Sequence, residues 1–230
     1  MVITAEQREE RRGYIGASEV ASICGIGPWG NPAEIYAMKV LGASKKETAA
    51  MRNGNEYEPF LIDYGTEQVS QHMERGVFEL DTNPEFSQKA IEGKQAPITA
   101  HLDGLITLEG SKQRVVLEAK TTRFLEDYGK PWSDEIPAHI LCQVTAQMGL
   151  SGTRRAFVVV MGREVNINMY DIAFDPELWK LIQAKCADFW WNQVAPQVQP
   201  KGEICLELLE RIDRHSEDNG MELFGSKAEE

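Results

Sequence analysis

The chain has 230 residues, of which 42% are hydrophobic, enough for one sizeable core and, by its length, a single globular domain. Its formal net charge of −12 is the reverse of the Lys and Arg surplus with which a generic nucleic-acid binder meets phosphates. No run approaches the ~20 apolar residues that cross a bilayer, and the opening MVITAEQREERRGY has neither the basic start nor the apolar run of a secretory signal, so a cytoplasmic protein with no membrane partner is expected.

In chain order, GASEVASICGIG reads as a short helix capped by Ser18, burying Val20, Ala21, Ile23 and Cys24 and stopped by Gly25. NPAEIYAMKVLG reads as a second helix, with Asn31 as cap, Pro32 at the first helical position and Gly42 at the left-handed exit. A third helix is expected from about Asn53 to Val69, with Tyr57, Phe60, Leu61 and Tyr64 at helical spacing. The middle is β-rich: GVFEL, then PITAHLDGLITL, the turn EGSKQ and RVVLEAKTT, the last two runs forming an antiparallel hairpin. An amphipathic helix near Pro137 to Leu150, strands at RRAFVVVMG and EVNINMYDIAF, and a helix from about Pro176 to Val194 follow. After Pro196 a short helix, ICLELLERI, leads into a polar end. The expected division is one domain over 1–200 and a C-terminal helix with an acidic tail over 201–230, a stretch with nine acidic and four basic side chains, net −5. The remaining −7 falls on the domain itself.

Cys24, Cys142, Cys186 and Cys205 are scattered without a CxxC pair, so reduced, mostly buried thiols are expected rather than a zinc knuckle or a disulfide framework.

Three charged residues stand where strands should be apolar. Alternate side chains of a strand share a face, so Glu118 and Lys120 project together while Leu117 and Ala119 turn to the core, and the hairpin brings Asp103 beside them. Two carboxylates a few ångströms apart repel by roughly 1 to 4 kcal/mol at surface-like dielectric and stay ionised only with a positive charge between them. A hard dication, Mg²⁺ or Mn²⁺, suits such oxygen donors and can polarise a phosphoryl oxygen and activate a water. Lys120 would then hold or help deprotonate that water, its pKa falling in a half-buried site. The plainer readings are a DG turn at a strand end and a solvated ion pair within ExK. Glu56 and Glu58 lie on the helix before the hairpin, and Gln143 and Gln147 share a face of the helix after it.

The ordered set RRGYIGASEV, GNEYEP, HLDG, LEAK and QVTAQM, between Arg11 and Gly152, resembles the PD-(D/E)xK nuclease superfamily, most closely its lambda-type exonucleases and YqaJ-like viral recombinases. The resemblance implies an α/β (α+β) fold, a PD-(D/E)xK nuclease core with a central mixed β-sheet and an antiparallel hairpin flanked by helices. It also implies a Mg²⁺-dependent enzyme, with Mn²⁺ able to substitute, that digests the 5′ strand of linear double-stranded DNA and leaves a 3′ overhang for a single-strand annealing protein. Such enzymes form closed homo-oligomeric rings, commonly trimers, and this one would be phage or prophage encoded and act in the bacterial cytoplasm.

By the same resemblance Asp103 and Glu118 are the metal-binding acids, with the Ala119 carbonyl as a further ligand, and Lys120 is the catalytic lysine. Glu58 completes or supports the metal site, and Gln143 orients water or the lysine, with Gln147 as the fallback. Arg11 and Ser18 match residues that grip a terminal 5′ phosphate, Arg11 through a forked pair of hydrogen bonds and Ser18 at a helix start. His101, on the face of Asp103, departs from the smaller polar residue of the family pattern and reads either as a phosphate contact or as a packed strand histidine. The hairpin loop is slightly long, and its Lys112 and Arg114 are placed to touch the DNA backbone. Trp29 in GPWG reads as core packing or as a strand-separating wedge.

Three alternatives stand beside this reading. A Cas4-like or RecB-like module would want one early and three closely grouped late cysteines for an iron–sulfur cluster, which the spacing here does not offer. A restriction-type endonuclease could share the catalytic core, and a non-catalytic recombination adaptor would not need the charged set intact. If a ring encircles the duplex, topology holds it there, and the acidic surplus is expected outside a channel lined by Lys and Arg.

Overall fold

The computed structural model describes residues 5–200, apart from 29, 45–46, 112, 123–124, 126–131, 133–134 and 163–164, together with 222–224. Its helices are α1 (Ala5–Glu10), α2 (Val20–Ile23), α3 (Pro32–Val40), α4 (Ala49–His72), α5 (Ala138–Ser151) and α6 (Pro176–Phe189). Its strands are β1 (Ile15–Gly16), β2 (Val77–Thr82), β3 (Glu85–Gln88), β4 (Ile98–His101), β5 (Gly104–Leu108), β6 (Arg114–Thr121), β7 (Arg155–Met161), β8 (Ile167–Ala173) and β9 (Glu222–Phe224).

A mixed six-stranded sheet has the order β2-β5-β6-β7-β8-β9, and a three-stranded sheet has the order β1-β4-β3. β5 and β6 form the expected antiparallel hairpin, in register Gly104 to Leu117 and Thr107 to Arg114. β6 and β7 run parallel, a pairing that needs a long crossover, which α5 supplies. Strands buried on both faces carry continuous apolar runs, which accounts for Val115 to Leu117 and Val158 to Val160, all without exposure.

Helix α4 covers one face, where Leu61, Ile62 and Val69 pack against Leu117, Phe157 and Val159. Gly65 is what lets it settle, since a Cβ there would lie 2.9 Å from Leu117 Cδ1 and 3.3 Å from Val159 Cγ1. On the other face α5, α6 and α2 close the larger core around Ile140, Leu141, Val144 and Met148.

Several expectations stand. The Asn31 side chain accepts from the Glu34 N–H at 3.0 Å and caps α3, Gly42 takes φ +71°, and Gly25 takes φ +75° after the first turn. Others are corrected. Ser18 does not cap: it is exposed within a 3₁₀ turn, Ala17–Glu19, and the Glu19 carboxylate accepts the Gly16 N–H at 2.8 Å in that role. Helix α4 starts earlier and ends later than 53–69, because Thr48 caps it at the Met51 N–H, and Pro59 sits inside it. Its buried row includes Leu61, whereas Tyr57 and Phe60 are about half exposed, at 45% and 49%.

The most consequential correction concerns PITAHLDGLITL, which is two strands in different sheets rather than one. β4 pairs with β3 and β1, β5 pairs with β2 and β6, and Leu102–Asp103 is the corner between them. β3 was not anticipated. The helix expected at ICLELLERI lies outside the described residues, while Glu222–Phe224 pairs antiparallel with β8. Among the described residues no helix is long and apolar enough to cross a membrane.

Replacing Gly65 with leucine forces α4 away from Leu117, an overpacking error of about 1–3 kcal/mol. Thermal melting should show a clear drop, and an unchanged melting temperature would mean that α4 is not held at this distance.

Candidate active site

The site is built on the end of β6. Glu118 shares the face of Val116, toward α5, and is buried, at 1% exposure. Gln143 and Gln147, one helical turn apart on α5, both reach it. The Gln147 amide donates to Glu118 Oε2 at 2.6 Å, while the Gln143 amide and the Lys120 ammonium both donate to Oε1. The sequence reading has Gln143, or Gln147 in its place, orient water or the lysine; here both amides are directed to the Glu118 carboxylate. Gln147 Oε1 is buried with no hydrogen-bond partner among the described residues.

Asp103 enters from the corner. The β5–β6 ladder stops at Gly104 and Leu117, and the next available N–H, that of Ala119, donates to Asp103 Oδ2 at 2.9 Å. The corner is thus pinned to β6, and the carboxylate lies beside Glu118 because of it. Burial and then the Glu118 charge raise the Asp103 pKa to about 8, against the opposing pull of Lys120 and the Ala119 N–H. Burial alone would lower Lys120, but the Glu118, Asp103 and Glu58 carboxylates more than offset it and hold the ammonium above its ordinary 10.5. Lys120 is therefore a fixed positive charge in this arrangement, not the lysine of lowered pKa expected from the sequence.

Glu58, exposed on α4, lines a pocket of about 300 Å³ together with Asp103, Ala119, Lys120 and Thr121. Among the described residues no three His, Cys, Asp or Glu side chains converge as a metal-binding group, so Glu58 stands at the rim rather than as a third carboxylate beside Asp103 and Glu118. The donor set still fits a hard dication. Asp103 and Glu58 bring carboxylate oxygens to the small pocket, Lys120 is the only cation lining it among the described residues, and burial with the Glu118 charge raises the Asp103 pKa to about 8, a cost that a dication there would relieve.

The acids lie on the floor of a cleft of about 1110 Å³. Arg11, Tyr14 and Ser18 line another part of it, as does His101, so the expected phosphate-gripping residues share one cavity with the acids. His101 is not packed away: its side chain is 45% exposed, with Nε2 3.6 Å from a Glu85 carboxylate oxygen. The segment bearing Arg11 is locked by a buried ion pair that the sequence reading did not anticipate. Lys39 Nζ lies 2.7 Å from Glu19 Oε2 and donates to the Arg11 carbonyl at 2.8 Å, and Arg12 donates to the carbonyls of Lys39 and Val40. Burial is the main cause of the lowered Lys39 pKa, and Glu19 opposes it.

Arg114, exposed at the start of β6, donates to the Ser151 carbonyl at 3.1 Å and lies over the Phe86 ring. Lys112 and Trp29 lie outside the described residues. Cys24, Cys142 and Cys186 are buried, as expected. The fold gathers them despite their spacing: burial first, then the neighbouring Cys24 and Cys142, pushes the Cys186 thiol up.

A mixed sheet whose central hairpin presents an aspartate, then a glutamate and a lysine two residues apart, flanked by α4 and α5, is the PD-(D/E)xK nuclease fold. Residues 7–154 match the YqaJ-like viral recombinase domain, and the chain belongs to that family. It is 27% identical over 190 residues to YqaJ of Bacillus subtilis (strain 168), covering 80% of this chain and 54% of YqaJ, so it spans about half the length of that relative. Its fold is similar to that of LHK-Exo, an alkaline exonuclease from Laribacter hongkongensis, with a TM-score of 0.57 at 19% identity over 92% of this chain and 98% of the other. A phage related exonuclease from Haemophilus somnus 129PT superimposes with a TM-score of 0.53 at 14% identity, covering 80% of this chain and 96% of its own.

The raised Asp103 pKa has a measurable consequence in metal-free protein. Between the ordinary 3.8 and about 8 the folded chain keeps a proton that the unfolded chain has released, so stability falls as pH rises through that window. Asp103→Asn removes this slope: it should be more stable than wild type at pH 8, by on the order of a few kcal/mol, with the gap closing toward pH 4. Denaturant titrations across that range check it, and parallel pH profiles would contradict the electrostatic picture.

Proposed function

We propose that the chain is a metal-dependent exonuclease that digests the 5′ strand of linear double-stranded DNA from an end, leaving a 3′ overhang for a single-strand annealing protein. The observation that carries this reading is the buried Glu118, held by Lys120, Gln143 and Gln147 beside Asp103, on the floor of a cleft that also contains Arg11 and Ser18. Membership of a viral recombinase family and a fold shared with exonucleases agree with it.

Asp103, Glu118 and the Ala119 carbonyl would hold the dication, with Glu58 at the rim. Mg²⁺, or Mn²⁺ in its place, supplies a Lewis acid that polarises the phosphoryl oxygen and makes water a better nucleophile. The remaining roles belong to the chain. The Lys120 ammonium, on the same strand face as Glu118, offsets the charge that develops on the phosphoryl group and orients the attacking water. Gln143 and Gln147 fix the Glu118 carboxylate, so the geometry is set before substrate arrives. Arg11 and Ser18 hold the terminal 5′ phosphate, which makes the enzyme dependent on an end.

Residues 1–200 would form the nuclease domain, with 201–230 appended to it. A homo-oligomeric ring, most simply a trimer, would encircle the duplex in the host bacterial cytoplasm with its acidic surplus outside.

The test is digestion of linear duplex bearing a 5′ phosphate, with and without Mg²⁺, comparing wild type with Lys120→Ala. Wild type should degrade the linear duplex only with the metal and leave covalently closed circles intact, and Lys120→Ala should lower the rate by at least about 10²-fold, the scale of losing one preorganised charge. The variant should stay folded, because Glu118 keeps both glutamine donors. Undiminished activity in Lys120→Ala would defeat the assignment, and cutting of closed circles would replace it with an endonuclease.

A further inference from the structure

His139 is the second residue of α5, one turn before Gln143 and two before Gln147, so the three side chains share a helix face and all line the cleft. The two glutamines direct their amide donors to Glu118. His139 has no such partner: among the described residues its half-buried ring makes no hydrogen bond. Burial, and then the nearby Lys120 charge, push its pKa down to about 4. Near neutral pH the ring is therefore uncharged and carries one N–H donor and one bare nitrogen.

An unpartnered donor beside an ammonium, in a cleft wide enough for a nucleotide, matches an anionic oxygen. A phosphate there would accept from the ring and from Lys120 together. His139 shares the α5 face of Gln143 and Gln147, whose amides reach the Glu118 carboxylate that Lys120 also contacts, which places it on the wall of the cleft beside the acids.

We infer that His139 is a substrate-contacting residue that donates from its ring to a non-bridging phosphate oxygen of the strand being cut. The inference rests on the nuclease reading given above. It assigns a second phosphate contact on α5, distinct from the grip on the terminal phosphate.

The experiment compares wild type with His139→Leu, which keeps bulk and removes the donor, and His139→Gln, which keeps a donor. Binding of a short 5′-phosphorylated linear duplex is read by fluorescence anisotropy with Ca²⁺ in place of Mg²⁺, the duplex being verified as uncut, and kcat and KM are then measured with Mg²⁺. His139→Leu should weaken binding and raise KM by about 5- to 10-fold, the scale of one lost hydrogen bond, with kcat moving less, and His139→Gln should recover most of the loss. Unchanged Kd and KM in His139→Leu would overturn the inference, as would a fall in kcat at constant Kd. Wild type that neither binds nor cuts linear duplex removes the nuclease reading and this contact with it. Wild type that does both while His139→Leu matches it removes the contact alone. Melting temperatures of both variants confirm that the helix start is intact.

Discussion

A buried carboxylate is the constraint on which the rest of this structure turns. Glu118 sits at 1% exposure in the middle of a six-stranded sheet, where an unpaired charge would cost several kcal/mol. It is tolerated because three donors from two elements converge on its two oxygens. Their convergence dictates geometry well beyond the site. α5 must cross β6 so that positions 143 and 147 point down, and β6 must end in a polar residue that turns back on the same face. α4 must seal the opposite face closely enough that position 65 carries no side chain.

The cleft exists because the chain leaves one sheet and enters another at Leu102–Asp103. If β4 and β5 were one continuous strand, Asp103 would point away from β6 or be paired along the ladder, and no hollow would open between the two sheets. The corner is held by hydrogen bonds from the Ala119 N–H to the Asp103 carboxylate and from the Leu102 N–H to the Pro84 carbonyl, so Asp103 both helps shape the cavity and supplies part of its charge. The far wall is held by a different device. β1 joins β4 in parallel through Ile15 and Ile98, and the buried Lys39–Glu19 pair ties the segment bearing Arg11 to α3.

Much of this was legible in the sequence, for reasons that differ by element. The α3 helix announced itself through Asn31, Pro32 and Gly42 because capping is local chemistry. Glu118 and Lys120 were visible because strand alternation places them on one face whatever the rest of the fold does. The split at Asp103 was not legible, since ITAH and GLITL have the same β-branched and apolar character and only tertiary pairing assigns them to different sheets. Glu19 was missed as a cap because Ser18 beside it is the commoner capping residue. The burial of Lys39 was not legible, because a lysine is almost always solvated unless a partner is buried with it, and Glu19 lies on another segment. The raised Lys120 pKa could not be read locally, because burial and neighbouring carboxylates act in opposite directions and only their distances decide which wins. His139 gave no motif; its placement one turn before Gln143 was the available signal.

The acidic composition, at first an argument against a nucleic-acid substrate, is consistent with the charges of the site itself. Among the described residues, the large cleft is lined by the cations Arg11 and Lys120 and the acids Asp103 and Glu118, and Glu58 at the rim of the smaller pocket adds one more acid. A chain of net −12 thus keeps its cleft near neutrality while the surplus lies elsewhere. With Asp103 protonated near neutral pH, Glu118 offsets one of the two cations lining the cleft. In the proposed reaction a dication at the carboxylates and a phosphate beside it would each lower the cost of the other, so binding would not need a basic surface.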